Sequence, residues 1–335
     1  MRMKTATKAI MGMALGAMAM SAASVVARAE GIEEPFRAGY AEALKDKKVV
    51  FIPVAQAVDL AQGWFATMKS ELEPVGVSVT VRDPNFNTGA GAQAIENLIN
   101  EKPAVIVVQN PDVQTYAKLL KRAEEEGIYV IQLNMRTQYN STAFVGVDWV
   151  EMGEKLAQAA VDACKGKSNK IAILQGALSA AASAYTMTGI DHVLTAHPDV
   201  KVVSNQAADW DATKAKSITQ TVLKQNPDLC SIVGFWDGQD IGTAAAVKEA
   251  GLTGKVFLVT SGGGEQKGTC DMIDSGAYDL HIMYSVPDQG KAIAGMVKWL
   301  VQSGIQPGAS KGSIYSTLTT LSKANTEGAC WKLSQ

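Results

Sequence analysis

The chain has 335 residues, with 31 Lys plus Arg against 33 Asp plus Glu and a formal charge of −2. So even a balance, without a basic block or a nucleic-acid motif, argues against a phosphate-backbone partner, and the length favours two domains over one core. No segment beyond residue 29 approaches the roughly 18 unbroken apolar residues of a membrane helix, so the protein is read as not membrane-embedded.

Residues 1–29 read as a signal peptide. Arg2, Lys4 and Lys8 precede a small and apolar run from Ala9 to Val26, and Ala27, Arg28 and Ala29 fit an A-x-A cleavage site. Cleavage after Ala29 would release an exported, periplasmic chain. Its first residue would be Glu30 and not a cysteine, which disfavours a lipid anchor. Four basic residues leave with the segment and no acidic one, so the mature protein is the more acidic.

From residue 49 onward, short apolar strands alternate with helices. Strands are predicted at 49–54, 77–81, 104–109, 129–133, 170–175, 201–205, 231–236, 255–260 and 280–286. Several are apolar on both faces, as parallel strands covered by helices must be. Between the third and fourth, Tyr116, Leu119, Leu120 and Ala123 follow the helical period, with Asp112 suited to cap the start and Gly127 the end. Further helices are predicted at 91–100, 151–164, 212–225, 240–250 and 288–303. The series runs twice, from 49 to 134 and from 170 to 286, which implies two similar α/β lobes, each a doubly wound parallel sheet.

Cys164, Cys230, Cys270 and Cys330 survive cleavage. With no C-x-x-C and three scattered histidines, a metal site is poorly supported, and in an oxidising compartment the even number suggests disulfides. Three pairings are possible. Cys164 and Cys230 both lie just before predicted strands, at one end of a sheet, which favours Cys164–Cys230 and leaves Cys330 to tie the tail to Cys270; buried free thiols are the alternative.

In doubly wound sheets ligands sit beyond the carboxyl ends of the strands. Those endings carry Gln56 and Asp59, Gln109 and Asn110, Asn134 and Arg136, then Gln175, Asp209 and Trp210, Trp236 and Asp237, Ser261, and Tyr284 with Ser285. Amides, carboxylates, hydroxyls and indoles suit a neutral, hydroxyl-rich ligand. Taken singly, Asn110 before Pro111 also suits a turn, Asp59 and Asp211 suit helix caps, and Trp64 suits a core. The run 261–268 could offer amides to an anion but is neither a dinucleotide fingerprint nor a phosphate loop. Ser179 and Ser183, in a predicted loop, lack a nucleophile elbow. No catalytic residue, metal or cofactor is assigned.

The runs 104–112, 129–136, 144–157, 170–176, 208–215, 232–247 and 284–295, in this order and spacing, resemble the exported sugar-binding proteins of the ribose-binding type that feed ABC importers. The resemblance implies the type I periplasmic binding protein fold: two lobes joined by three crossover segments, near 145–149, 284–287 and 311–315, closing by a hinge on one ligand. It divides the mature chain into 30–147 plus 286–312 and 148–285 plus 313–335. It implies ligand contacts at Asn134, Arg136, Asp148, Trp210, Trp236, Asp237 and Ser285, to which the strand endings and aromatic positions add Gln56, Asp59, Trp64, Asn110, Tyr185, Ser261 and Tyr284. The chain departs from the family pattern in three places. It has 57–65 where Asn-Pro-Phe-Phe often follows the first strand, Asn134-Met135 where Asp-Arg is usual, and 179–185 where an arginine is expected. These departures admit a less polar polyol, a deoxy or methylated sugar, or an aromatic solute. The implied partners are a small-molecule ligand and a membrane permease, for a monomer that is not an enzyme. A ligand-sensing subunit of a sensor kinase or chemoreceptor is the alternative.

Overall fold

The computed structural model describes residues 35–333, so the expected signal peptide and its cleavage site lie outside the described residues. The first unit runs α1 (Pro35–Leu44), β1 (Lys48–Ile52), α2 (Asp59–Leu72), β2 (Ser78–Val81), α3 (Thr88–Glu101), β3 (Val105–Val108), α4 (Ala117–Glu125), β4 (Tyr129–Asn134) and β5 (Ala143–Gly146). The second runs α5 (Trp149–Cys164), β6 (Lys170–Gln175), α6 (Ala181–Ala196), β7 (Lys201–Ala207), α7 (Ala212–Gln225), β8 (Ser231–Gly234), α8 (Asp237–Glu249), β9 (Phe257–Gly262), α9 (Asp271–Asp274) and β10 (Leu280–Tyr284). The chain then adds α10 (Val286–Ser303), β11 (Gly312–Tyr315) and β12 (Leu318–Leu321).

The strands form two six-stranded sheets, ordered β11-β5-β4-β3-β1-β2 and β12-β10-β9-β8-β6-β7. Leaving aside the last two strands, the second sheet repeats the order of the first. Every pairing is parallel except β10 with β12. Central strands are buried on both faces: Val49 and Phe51 pack toward α2 and α10, while Val50 and Ile52 pack toward α3 and α4. That two-sided burial is what makes β1, β3 and β6 unbroken apolar runs.

The chain passes from the first sheet to the second between β5 and α5, and returns at Ser285, since α10 packs on α2, α1 and β5. The last passage lies at Ser316 and Thr317, between β11 and β12, slightly beyond the expected 311–315. The difference arises because β11 is not a crossover segment: it pairs with β5 over Gly312–Tyr315 and completes the first sheet.

Local readings change in two more places. Asp112 caps a turn rather than α4, accepting from the amides of Gln114 and Thr115 before the helix begins at Ala117. Ser183 lies on α6 and not in a loop; no side chain caps that helix, so its start left no signal in the sequence.

Helices α5 and α6 touch backbone to backbone. A Cβ built on Gly153 would strike the carbonyl of Thr186, and one on Gly189 would strike that of Val150. Since neither helix can yield locally, Gly189→Ala is expected to lower stability by about 2 kcal/mol in a urea titration. A loss below about 0.5 kcal/mol would mean the crossing has slack.

Two disulfides are formed, Cys164–Cys230 and Cys270–Cys330, in the pairing favoured from strand position. The second anchors the tail, whose Trp331 donates its indole N–H to the carbonyl of Gly263 at 2.7 Å. On its other side this indole lies against Gly63 of α2. A residue held by the second lobe therefore packs on the first at the hinge.

Candidate functional site

Between the carboxyl ends of the two sheets lies a cavity of about 360 Å³, within the usual range for small-molecule sites. The first lobe contributes Val54, Val58 and Leu60 after β1, Pro84 to Thr88 after β2 without Asn85, Gln109, Pro111 and Asp112 after β3, Tyr116, and Asn134 and Met135 after β4. The second contributes Trp149, Ala177, Ser179, Ala182, Asp209, Trp210, Phe235, Trp236 and Tyr284.

Asn134 ends its strand in the left-handed conformation, with φ at 59°, which asparagine tolerates better than most residues. Its carbonyl accepts the indole N–H of Trp149 at 2.8 Å. Trp149 in turn meets Tyr284 edge to face, with ring centroids 5.7 Å apart. The Oδ1 of Asn134 is buried and has no protein partner. Burial, then the charge of Asp237, pushes the Tyr284 phenol well above its usual range and keeps it protonated.

On the facing lobe Asp209 and Trp210 are both left-handed, with φ of 53° and 65°. The turn is held by the Trp210 amide, which donates to Gln239 Oε1 at 2.9 Å. It lays the indole over Gly176, where any Cβ would overlap the ring. Trp210 meets Trp236 edge to face at 6.4 Å. The indole nitrogen of Trp236 is buried and has no hydrogen-bond acceptor. Phe86 comes from the first lobe, where its amide donates to the carbonyl of Val54 at 2.8 Å.

Of the residues expected to contact ligand, the cavity gathers Asn134, Trp210, Trp236 and Tyr284. The others are placed elsewhere, each for a physical reason. Trp64 is fully buried in the core and donates to Gln289 Oε1 at 2.8 Å. Asn110 is buried, with its amide NH₂ bonded to Gln132 and the carbonyl of Met135. Gln56 donates its backbone amide to Asp83 and does not line the cavity. Asp148 caps α5 and Ser285 caps α10. Ser261 donates to the carbonyl of Phe235. Asp237 accepts from Thr269, His281 and the amide of Gly238 behind the cavity wall. Arg136 is exposed and sits 5.2 Å over the ring of Tyr185. Asp59 lies beside the wall formed by Val58 and Leu60; burial first, then the charge of Asp237, with Glu265 adding, pushes its carboxyl up to about 7 against the bond from the Leu60 amide.

The anion-cradle possibility at 261–268 is closed, since Glu265 takes the amides of Lys267 and Gly268 with its own carboxylate. Residues the sequence did not mark include Phe86, Asn87, Tyr116, Trp149 and Phe235. The loop after β2 carries none of the expected contacts, and its aromatic residue, Phe86, is the available signal.

Among the described residues the lining holds no lysine, arginine or histidine, and its two carboxylates are already engaged. Asp112 accepts from Thr115 and two amides, and Asp209 pairs with Lys214. Two α/β lobes with repeated topology, three connections and a neutral, ring-walled pocket between them define a two-lobed solute-binding protein. The chain belongs to the periplasmic binding protein family, whose domain model matches residues 49–305. It is 28% identical over 260 residues to the D-allose-binding periplasmic protein of Escherichia coli K12, covering 70% of this chain and 82% of that protein. It is 29% identical over 172 residues to the xylitol-binding protein of Mycolicibacterium smegmatis, covering 51% of this chain and about half the length of the relative. Among solved structures, an ABC transporter solute-binding protein from Burkholderia graminis in complex with D-arabinose superposes with a TM-score of 0.77 at 21% identity, over 86% of this chain and 99% of that one. An Agrobacterium vitis solute-binding protein with bound D-fucose gives 0.77 at 19% identity, over 85% and 100%. At these identities the superpositions establish the type I fold alone.

Proposed function

We propose that the protein is the periplasmic receptor of an ABC importer and binds a neutral monosaccharide or polyol between its lobes. The observation that carries this reading is the cavity itself, which is uncharged apart from two engaged carboxylates, is walled by rings, and holds a buried acceptor on Asn134 and a buried donor on Trp236 without protein partners. Buried polar atoms without partners are costly, and a hydroxyl between the lobes would satisfy both kinds. Rings facing the C–H surface of a sugar supply the apolar part. The relatives that bind allose and xylitol support the same class. Export with cleavage after Ala29, a monomeric state and delivery to a membrane permease belong to this proposal. A structural neighbour that points to a sensor role, the fructose-binding periplasmic domain of a hybrid two-component system, is 17% identical and shows the fold alone.

A thermal-shift screen of the mature protein tests the proposal, because ligand at about 100 times its Kd adds about 2.7 kcal/mol to the folded state. At least one monosaccharide or polyol is expected to raise Tm by several degrees. A screen in which no such compound does so overturns the ligand class.

A further inference from the structure

One turn is built twice, once in each lobe. β2 and β7 hold the same outer place in their sheets, each beside the first strand of its lobe. After β2 the chain runs Pro84-Asn85-Phe86-Asn87, and after β7 it runs Ala208-Asp209-Trp210-Asp211. The middle two residues are left-handed in both, with φ of 48° and 61° in the first lobe and 53° and 65° in the second. In both, the fourth residue donates its amide to the carbonyl of the first, Asn87 to Pro84 and Asp211 to Ala208, each at 2.9 Å. Its side chain then caps the following helix, Asn87 accepting from the Ala90 amide and Asp211 from that of Lys214. Asparagine and aspartate tolerate the left-handed region, whereas a bulky phenylalanine or tryptophan there is strained, and strain of this kind gathers at ligand clamps. What each strained turn achieves is to place one aromatic residue in the cavity lining, Phe86 from the first lobe and Trp210 from the second.

The loop after β1 brings no ring to the cavity, since its lining residues Val54, Val58 and Leu60 are aliphatic. Of the two aromatic residues that the first lobe does place in the lining, Tyr116 is 2% exposed and donates its hydroxyl to the carbonyl of Thr88, whereas Phe86 is 61% exposed. A ring left this open at the edge of a cavity is free to cover the C–H face of a ligand. A closed sugar ring presents such faces in a fixed geometry. The open-chain polyol of the same carbon number has no fixed face, and it must give up rotation about its carbon–carbon bonds when it binds. Resting on the receptor reading above, we propose that Phe86 and Trp210 are the stacking pair of the site, one on each lobe, and that they select ring-closed monosaccharides over open-chain polyols of the same carbon number.

The test is calorimetric titration of the mature protein with matched pairs: D-allose and allitol, D-glucose and D-glucitol, D-galactose and galactitol, D-xylose and xylitol. In every pair that binds, the sugar is expected to be about tenfold tighter or more. Phe86→Leu keeps an apolar side chain on the same backbone and removes the ring. It is expected to weaken the sugars about tenfold and the polyols less than about threefold, with an unchanged melt of the unliganded protein because the side chain is exposed. Phe86→Trp restores a ring and is expected to keep the wild-type ratio of sugar to polyol. A turn with a merely structural role would change both ligands by the same factor. That result, or a polyol that binds as tightly as its sugar, overturns the stacking pair and leaves the receptor reading standing. If none of these compounds binds, the stacking pair is overturned as well, and the thermal-shift screen decides the receptor reading separately.

Discussion

A Cys164→Ala/Cys230→Ala double variant is expected to be about 4 kcal/mol less stable than the oxidised protein and to bind ligand with unchanged affinity. The bridge spans 66 residues, and in the chain-entropy account a loop of that length removes about 4 kcal/mol of freedom from the unfolded ensemble. Alanine fits the space, because both cysteines are buried small residues and removal of the bridge leaves little volume to fill. Affinity is expected to hold because Cys230 directly precedes β8, at the amino ends of the strands, and the cavity lies beyond their carboxyl ends. Urea titration of both proteins measures the first expectation and calorimetry with the best ligand the second. A stability loss below about 1 kcal/mol would show that the bridge does little to restrict the unfolded chain. A large loss of affinity would show that the second lobe transmits strain from one end of its sheet to the other.

Asp59→Asn is expected to gain stability relative to the wild type as pH rises, with the difference opening between about pH 4 and pH 7. In the unfolded chain Asp59 ionises near its ordinary 3.8, and in the folded protein it holds its proton up to about 7, first because it is buried and then because Asp237 and Glu265 face it. A raised carboxyl pKa means that the folded state binds the proton more tightly. Stability is therefore full below about 4, falls as pH rises to about 7, and is constant above. At 1.36 kcal/mol per pKa unit the complete loss is up to about 4 kcal/mol. Asparagine keeps the oxygen that accepts from the Leu60 amide at 2.7 Å and cannot ionise. Asp240, pushed up to about 7 chiefly by burial, adds a slope of the same sign that the variant retains. Urea midpoints of both proteins at pH 4.5 and 7.5 decide the matter, and parallel pH profiles would rule out a raised Asp59.

Strand legibility followed runs of apolar and β-branched residues and not burial alone: the largely exposed β7 is among the predicted strands, and β5, buried throughout, is not. Strands such as β3 and β6 read as continuous apolar runs because helices cover both their faces. By contrast β11 and β12 are short and largely exposed edge strands, without the buried apolar run that marks β3 and β6. Helix α6 went unread because its start is alanine- and serine-rich and carries no capping side chain. At the site, Asn134 was legible as a polar residue ending an apolar strand. Trp210 was legible as a polar-edged aromatic at a similar place. Its orientation was not, since it depends on two successive left-handed residues and on a glycine far along the chain beneath the ring. Asp148 and Ser285 were read as ligand contacts and are helix caps, because the same short polar side chain at a strand end serves either purpose and only the neighbouring amides decide.

The order in which the chain builds its sheets bears on how it reaches its destination. The first sheet lacks its edge strand until Gly312–Tyr315 has been delivered, and by then the second sheet has received every strand but one. Neither lobe is a continuous stretch of sequence, so neither can finish while the other is still absent. Partners this distant along the chain close large loops, which slows folding. A nascent chain of this topology, if exported, would meet a translocation machinery with its first sheet still one edge strand short. Completion as one cooperative event, with β11 and β12 seated together, then falls after the carboxyl end has arrived.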